Sequence, residues 1–414
     1  MARPSVAVAV PVPVATDSTG TTRVTGQSHI EPLTLPAWER TDIAGFGPGL
    51  VLDVGGSPLW WASPDVELRA SPEAAICLLA PWCALHGRVL ELPAPGLDPV
   101  FLENVRAATT LMGSWWGHDP LQLVVPPASG PPVSPPVVAP GDTALLFSGG
   151  IDSFYSLVRN PHVGALVFII GFDIRVENTE VWQAVVRAHR DLAAELGLRF
   201  ITLATNLRDH PVLSQMRWAR YHGVLLAATC HLLREQASRW IVSSSFQQDN
   251  LMPWGSRPDL DHLWSGGGVH ITHYGADKWR EEKLVAMGGM AMVHRRLRVC
   301  YADPQADGNC GRCERCVRTR LVYWLDLPGD RCSGMPDDPP LVEAIDGVAR
   351  VELRLILSVY RGFLERAPPD HPATAAIRAL IGRSEGQGGA IPPVRIDARV
   401  DQAQCGEAGE ATGR

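Results

Sequence analysis

The chain has 414 residues, 46% of them hydrophobic and 20% charged, and its 37 basic and 44 acidic side chains give a formal net charge of −7. This length predicts two or three domains with buried cores, which excludes a peptide or a small disulfide-stapled protein. The mildly acidic balance gives no global positive field for a nucleic-acid backbone, so we expect a small-molecule enzyme and no nucleic-acid partner.

The first third of the chain predicts a tail, a small domain and a linker. Residues 1–30 are small, polar and interrupted by proline, and we expect a disordered tail there because few apolar groups can offset the entropy of ordering. Residues 31–125 alternate short apolar runs with turn residues around one helical stretch, Pro99–Trp116, which predicts an N-terminal α+β domain. Residues 126–141 contain seven prolines and predict a stiff linker.

Strands and helices alternate in the region 142–332. The apolar runs TALLFS, ALVFIIGF, RFITLAT and RWIVSSS are separated by predicted amphipathic helices, the first starting at Ser153 and the others spanning residues 179–196 and 212–234. Such strands are typical of a parallel sheet covered on both faces, so we predict a doubly wound α/β domain. Residues 333–383 predict C-terminal packing helices, and residues 384–414 predict a second disordered tail. No apolar run reaches the roughly eighteen residues of a membrane-spanning helix, so we expect a cytoplasmic protein with no membrane partner.

The strongest motif is the segment 148–153, SGGIDS, which follows the first apolar strand of that domain and opens its first helix. Glycines permit a tight turn whose amides face a phosphate, and the helix N-terminus adds partial positive charge. The residues expected to form this phosphate site are Ser148, Gly149, Gly150, Asp152 and Ser153. Asp152 would hold a magnesium ion or a loop amide. The alternative is a plain turn in which Asp152 or Ser153 caps the helix.

A second motif has the spacing C-x9-C-x2-C-x2-C and consists of Cys300, Cys310, Cys313 and Cys316. Four soft thiolates supply a closed tetrahedral shell, so we predict a structural zinc that folds the loop and does not activate water. An iron–sulfur cluster is the alternative, although Arg320 occupies the place of the fourth cysteine in the ferredoxin run. The other five cysteines lack ligand spacing and are interpreted as packing residues.

The two motifs together resemble a known family. The full SGGxDS loop resembles that of the N-type ATP pyrophosphatases, the PP-loop superfamily. With the four-cysteine loop about 150 residues later, residues 143–325 resemble the 7-cyano-7-deazaguanine synthase family. The resemblance implies an adenine nucleotide alpha hydrolase-like fold, ATP with Mg2+, a structural Zn2+, and cleavage of ATP between its α and β phosphates. In that family a substrate carboxylate is adenylated and then attacked by nitrogen.

The segment Ser243–Trp264 departs from the family, because it does not match the family's purine-recognition segment. It follows the fourth predicted strand, at the carboxyl edge where open α/β sheets bind ligands, and we expect it to form the substrate loop. Asp249 and Asp259, with Asp261, would recognise an amine or a base edge, and Trp254 would stack on a ring. The alternative is a solvated loop.

Basic residues follow the substrate loop. Lys278 and Lys283 stand at or near a helix start, and we expect Lys283 to neutralise ATP phosphates, the alternative being a surface lysine. Seven arginines gather around the cysteines: Arg295, Arg296, Arg298, Arg312, Arg315, Arg318 and Arg320. They predict either an anion site for substrate, pyrophosphate or RNA, or solvated charges balanced by the acidic chain.

These motifs predict an ATP-dependent, AMP-forming C–N ligase or amidase that joins a small carboxylated substrate to ammonia or an amine. One alternative is a tRNA-modifying adenylating enzyme that thiolates or aminates a base. A second is a nucleotide-binding module of a defence or regulatory assembly. The sequence leaves open the substrate, the nucleophile, the role of the N-terminal domain and the oligomeric state, a homodimer included. We also expect Asp152→Ala to abolish turnover with little loss of fold.

Overall fold

The computed structural model describes residues 32–93, 96–126, 143–300 and 308–385. Within these ranges the chain is a mixed α/β protein with parallel strands and twelve α-helices. The tail expected at 1–30 and nearly all of the linker expected at 126–141 lie outside the described residues. The second tail, expected from residue 384, also lies outside them apart from its first two residues, which end the last helix.

Eleven strands are found in the described residues. They are β1 (Leu33–Thr34), β2 (Trp38–Ile43), β3 (Gly47–Asp53), β4 (Pro58–Ala62), β5 (Val89–Glu91), β6 (Gln122–Val124), β7 (Thr143–Leu146), β8 (Val163–Ile170), β9 (Arg199–Thr205), β10 (Arg239–Ser243) and β11 (His270–Tyr274). Strands β1, β5 and β6 form a small parallel sheet. The other eight form one sheet in the order β11-β10-β7-β8-β9-β4-β3-β2. Its five strands from β7 to β11 run parallel, and β4, β3 and β2 extend it in antiparallel fashion.

Helices pack on both sides of this sheet. They are α1 (Pro72–Leu85), α2 (Pro99–Trp116), α3 (Ile151–Arg159), α4 (Thr179–Glu195), α5 (Trp218–Leu232), α6 (Pro258–Asp261), α7 (Arg280–Val285), α8 (Ala291–Arg296), α9 (Glu314–Asp326), α10 (Leu341–Gly347), α11 (Arg354–Arg366) and α12 (Pro372–Glu385). None of the helices in the described ranges is long and apolar enough to cross a membrane.

The parallel strands are apolar throughout because each of their faces packs against a hydrophobic core. In β7, Leu145 belongs to a core that includes residues of α3, α9, α11 and α12. Its neighbours Ala144 and Leu146 belong to the opposite core, which includes residues of α1, α2 and α5. Since side chains alternate between the two faces of a strand, burial on both faces removes the polar alternation that a half-exposed strand would show.

Most elements predicted downstream of residue 142 are confirmed in order and type. The predicted strand RFITLAT is β9, and the predicted helix from Thr179 ends at Glu195, one residue early. The start of the helix predicted over 212–234 is wrong. Helix α5 begins only at Trp218, because a 3-10 turn and an extended residue, Arg217, precede it. The prediction of one helix before the linker is also wrong, since α1 precedes the confirmed helix α2.

The region 31–125, expected as a separate α+β domain, shares its sheet with the region that follows. Strand β4 pairs with β9 through Trp61 with Thr205 and Ala62 with Ala204. Asp65 continues this connection, because its carboxylate accepts a hydrogen bond of 2.7 Å from the amide of Thr202. The N-terminal strands therefore lengthen the sheet that carries the SGGIDS loop.

Candidate functional site

The SGGIDS loop joins the carboxyl end of β7 to the first turn of α3. Gly149 has a φ of +77°, and a Cβ atom there would lie 2.5 Å from Nε2 of His189, so both the backbone conformation and the space favour glycine. Its carbonyl accepts a hydrogen bond of 2.9 Å from the amide of Arg298. The loop is thus held from α4 on one side and from the cysteine segment on the other.

The two loop serines face each other across the helix start. Ser153 Oγ donates to the carbonyl of Gly150 at 3.0 Å and lies 3.4 Å from Ser148 Oγ. Gly150 is the N-cap of α3, and no side chain caps the helix. The interpretation of Asp152 or Ser153 as a capping residue is therefore wrong, because both lie inside the helix. The first amides of α3 keep the donor capacity that a bound anion uses.

Asp152 receives two cations from α7. Arg280 donates to Oδ2 through Nε at 2.9 Å and Nη2 at 2.7 Å, while Lys283 Nζ lies 2.9 Å from Oδ1. Burial by itself would raise the pKa of Asp152, but Arg280 and Lys283 outweigh burial and lower that pKa to about 2. Asp152 is therefore ionised at neutral pH and fixes Arg280 beside the loop.

Lys283 is placed beneath the site rather than in it. Lys283 is 1% exposed, and its Nζ donates a hydrogen bond of 2.6 Å to the carbonyl of Ser244 as well as one to Asp152. A cavity opens beside the loop, and Arg280 is part of its described lining whereas Lys283 is not. The cation of α7 that lines the cavity is thus Arg280, three residues before the lysine that the sequence favoured.

A second buried ion-pair group adjoins the first and involves α7, α9 and α11. Arg318 pairs with Glu281 through Nη1 at 3.2 Å and with Glu314 through Nε at 3.0 Å. The hydroxyl of Tyr360 donates to Glu314 Oε1 at 3.2 Å. Burial disfavours the charge of Arg318, but its carboxylate neighbours outweigh burial and raise the pKa of its guanidinium.

A cavity of about 360 Å³ opens at the carboxyl ends of β7, β8 and β10. Loop residues line one side, including Ser148, Gly150, Asp152 and Ser153. The basic side chains in its lining are Arg280, Arg298, Arg315 and Arg318, and its aromatic and imidazole rings include Phe172, Trp218, His222, Phe246 and Trp254. This combination of an anion-binding end and a wall of planar rings suits a ligand that joins phosphate to an aromatic ring.

The segment Ser243–Trp264 supplies part of this wall. Trp254 lines the cavity, with its ring edge-to-face against Phe246 at 5.2 Å and His222 at 5.7 Å. Asp249 is exposed, Asp259 pairs with Arg257 at 2.8 Å, and neither carboxylate is in the described lining of the cavity.

Asp261 has a structural role in the same segment. Its Oδ2 lies within hydrogen-bond distance of Ser256 Oγ and His273 Nδ1, each at 2.7 Å, and Asp261 is 2% exposed. The expectation that the aspartates of this segment recognise substrate is therefore not supported by their positions. The tryptophan is the predicted substrate residue that faces the cavity.

Five of the seven arginines near the cysteines have one of three environments. Arg298, Arg315 and Arg318 line the cavity, in agreement with an anion site. Arg320 instead donates to the carbonyls of Gly311 at 2.9 Å and Pro339 at 2.8 Å, and so fastens the cysteine loop. Arg296 pairs with Glu195 on α4. The cluster is thus divided between the cavity lining and structural contacts.

The four predicted cysteines come together in the structure. The Sγ atoms of Cys300 and Cys313 lie 3.9 Å apart, those of Cys310 and Cys316 lie 3.8 Å apart, and all four lie within 4.8 Å of one another. In a tetrahedral shell with metal–sulfur bonds of about 2.3 Å, the sulfurs lie about 3.8 Å apart. The cluster can therefore hold a metal ion such as zinc.

Asn309 joins the two halves of the cysteine site. Its Oδ1 accepts hydrogen bonds from the amides of Val299 at 2.7 Å and Cys300 at 3.2 Å. Its Nδ2 donates to the carbonyls of Leu297 at 2.8 Å and Gly334 at 3.1 Å. The first cysteine is thereby fixed against the loop that carries the other three, independently of any metal.

Sequence reasoning missed three groups of this site: Arg280, Glu281 and Glu314. Arg280 and Lys283 are three residues apart on α7, so they share a helix face, and this spacing was the available signal. No comparable signal exists for the pairing of Glu281 with Arg318, because it depends on how α7 packs against α9.

Comparison with known proteins adds little to this description. No family model and no curated protein matches the chain. Among solved structures, the chain is similar to one described as "Structure of a Type III CRISPR defence DNA nuclease activated by cyclic oligoadenylate", at 15% sequence identity and a TM-score of 0.21. The match covers 84% of this chain and 66% of the nuclease chain. A likeness of this size carries no argument about fold or function.

Proposed function

We propose that the cavity binds ATP and that the protein is an AMP-forming ligase of the PP-loop type, which adenylates a small carboxylate for attack by nitrogen. The observation that carries the proposal is the uncapped start of α3, with Arg280 held beside it by Asp152 and facing the same cavity. In this interpretation the five parallel strands form a doubly wound, adenine nucleotide alpha hydrolase-like domain.

The charge distribution of the cavity suits this reaction. A carboxylate oxygen of the substrate attacks the α phosphorus of ATP, and pyrophosphate leaves with the growing negative charge. Amides of the α3 start and the guanidinium of Arg280 would stabilise that charge, since fixed donors in a partly buried site are more effective than water. The volume of about 360 Å³ falls within the usual range for small-molecule sites.

The metals have distinct places in the proposal. Both oxygens of Asp152 already accept hydrogen bonds from Arg280 and Lys283, which disfavours its expected role as a magnesium ligand. The exposed carboxylate of Asp173 also lines the cavity and is the better candidate to hold Mg2+ next to the phosphates. Zinc would occupy the cysteine cluster and support the start of α9, the helix that carries Arg318.

Phosphorus NMR of ATP incubated with the protein, ammonium chloride and a panel of small carboxylates tests the proposal. We expect AMP and pyrophosphate with the correct carboxylate. Arg280→Met should reduce their formation by about 100-fold or more, since it removes a group that meets the leaving charge. Asp259→Asn, which changes a carboxylate outside the cavity, is the control and should retain activity. ADP and phosphate as products would reject the assignment.

A further inference from the structure

Glu281 lies between the candidate ATP cavity and a second groove. The groove has a volume of about 570 Å³ and lies between α7 and α11, where Ser358, Gly362 and Phe363 form one wall. The two cavities share Trp279 and Glu281 in their linings. A small ligand in the groove would therefore meet Glu281 before it met the loop.

Glu281 also carries a buried acceptor atom without a donor. Its Oε1 accepts a hydrogen bond of 3.2 Å from Arg318, but its Oε2 is buried and has no hydrogen bond within the described part of the chain. The residue is 8% exposed. Since buried polar atoms in folded proteins are nearly always hydrogen-bonded, this oxygen marks a place for a donor that the chain does not supply.

The charges around Glu281 indicate what kind of donor fits. Three buried or half-buried cations, Arg280, Lys283 and Arg318, are balanced by three carboxylates, Asp152, Glu281 and Glu314. This network is neutral before ATP binds, and the phosphates of ATP would make its surroundings negative. A cationic donor would then be attracted to the one carboxylate oxygen of this network that lacks a partner among the described residues.

We propose that Glu281 binds the nitrogen nucleophile, an ammonium ion or a small primary ammonium group, which arrives through the second groove. The inference rests on the proposed carboxylate activation. The bound ammonium gives a proton to Glu281 Oε2, and the freed lone pair forms a C–N bond with the adenylated carbonyl carbon. The C–O bond to AMP breaks, AMP takes the electron pair, and the new amide nitrogen releases its second proton to water.

Thermal melts of the full chain test this site without knowledge of the carboxylate. The protein is titrated with ammonium chloride, and separately with tetramethylammonium chloride, which has no N–H donor, at a constant ionic strength set by sodium chloride. Both titrations are run with and without α,β-methylene-ATP, whose own binding is measured by equilibrium dialysis. Failure of the nucleotide to bind would count against the proposed function, whereas the comparison of the two salts tests the ammonium site.

The matched control is Glu352. Its Oε1 pairs with Arg350 at 3.1 Å and its Oε2 is buried without a hydrogen bond, like that of Glu281, but it lies outside the described lining of both cavities. We expect ammonium to raise the melting temperature of the wild type more than tetramethylammonium does. The ammonium concentration that gives half of this rise should be at least tenfold higher in Glu281→Gln and unchanged in Glu352→Gln.

Three results would overturn the proposal. They are equal effects of the two salts on the wild type, an ammonium effect retained in Glu281→Gln, and an effect lost equally in both variants. The first comparison uses the wild type only, so it can overturn the proposal even if the Glu281 variant fails to fold.

Discussion

Asp152 contributes to stability as well as to the site. Its carboxylate compensates Lys283, which is 1% exposed, and Arg280. Removal of one partner of a buried ion pair leaves an uncompensated charge at a cost of about 3–5 kcal/mol. The structure therefore changes the expectation that Asp152→Ala would spare the fold.

We predict that Asp152→Ala lowers the free energy of unfolding at pH 7 by about 3–5 kcal/mol, measured by urea denaturation with tryptophan fluorescence. Asp249→Ala, at an exposed carboxylate, is the control and should change it by less than about 0.5 kcal/mol. Equal midpoints for the wild type and Asp152→Ala would show that Arg280 and Lys283 do not depend on this carboxylate.

His189 should make stability depend on pH. Its ring packs edge-to-face against Phe147 and Phe168 at 5.0 and 5.1 Å, and burial, assisted by Arg298 and Arg296, lowers its pKa from 6.5 to about 3. The unfolded chain binds this proton at higher pH than the folded chain does. The contribution of His189 is therefore complete above about pH 6.5 and is lost as pH falls toward 3.

We predict that the free energy of unfolding of the wild type falls between pH 6 and pH 4. His189 should contribute about 1.4 kcal/mol per pH unit to this fall, and His189→Leu should remove that contribution. Leucine fills the apolar site and cannot be protonated. His270→Gln, at an exposed histidine, is the control and should keep the slope. Urea midpoints measured across this range give the comparison. An identical slope in His189→Leu would place the acid sensitivity elsewhere.

At the scale of elements, the sequence predicted what short-range patterns encode. The SGGIDS loop, the strands around it and the cysteine spacing all depend on neighbouring residues, and each was located correctly. Helix α1 was missed because eleven of its fourteen residues are buried, so it lacks the polar face from which amphipathic helices are recognised. Glu281 of α7 was missed because its pairing with Arg318 depends on how α7 packs against α9.

The cysteine loop should depend on its metal. We predict about one zinc per chain in the wild type by elemental analysis, and no visible iron–sulfur absorption. Cys313→Ser should lose most of the zinc and lower the melting temperature by on the order of 10 °C, because an incomplete shell forfeits metal-linked folding energy. Cys332→Ser, a buried cysteine outside the cluster, should retain the zinc. A zinc-free wild type that melts normally would contradict the prediction, and a brown protein would favour the iron–sulfur alternative.

At the scale of the whole molecule, the pairing of β4 with β9 joins the regions on either side of the predicted linker. The prolines of the linker indicated a boundary, yet the chain on either side of it contributes to one sheet and to one core, in which α1 packs against α5. Trp61 of β4 is completely buried there. The proline pattern describes local stiffness and carries no information about which distant strands pair.

We predict that the fragment 143–414 does not fold alone. Its loss of β4 and α1 would expose the edge of β9 and the apolar face of α5, two features that favour aggregation. Size-exclusion chromatography and thermal melts should show aggregates without a cooperative transition. The control is the full chain cleaved at a protease site introduced within residues 127–142, whose two pieces should stay together because the paired strands and shared core remain. A monomeric fragment that melts as cooperatively as the full chain would establish the two independent domains that the sequence suggested.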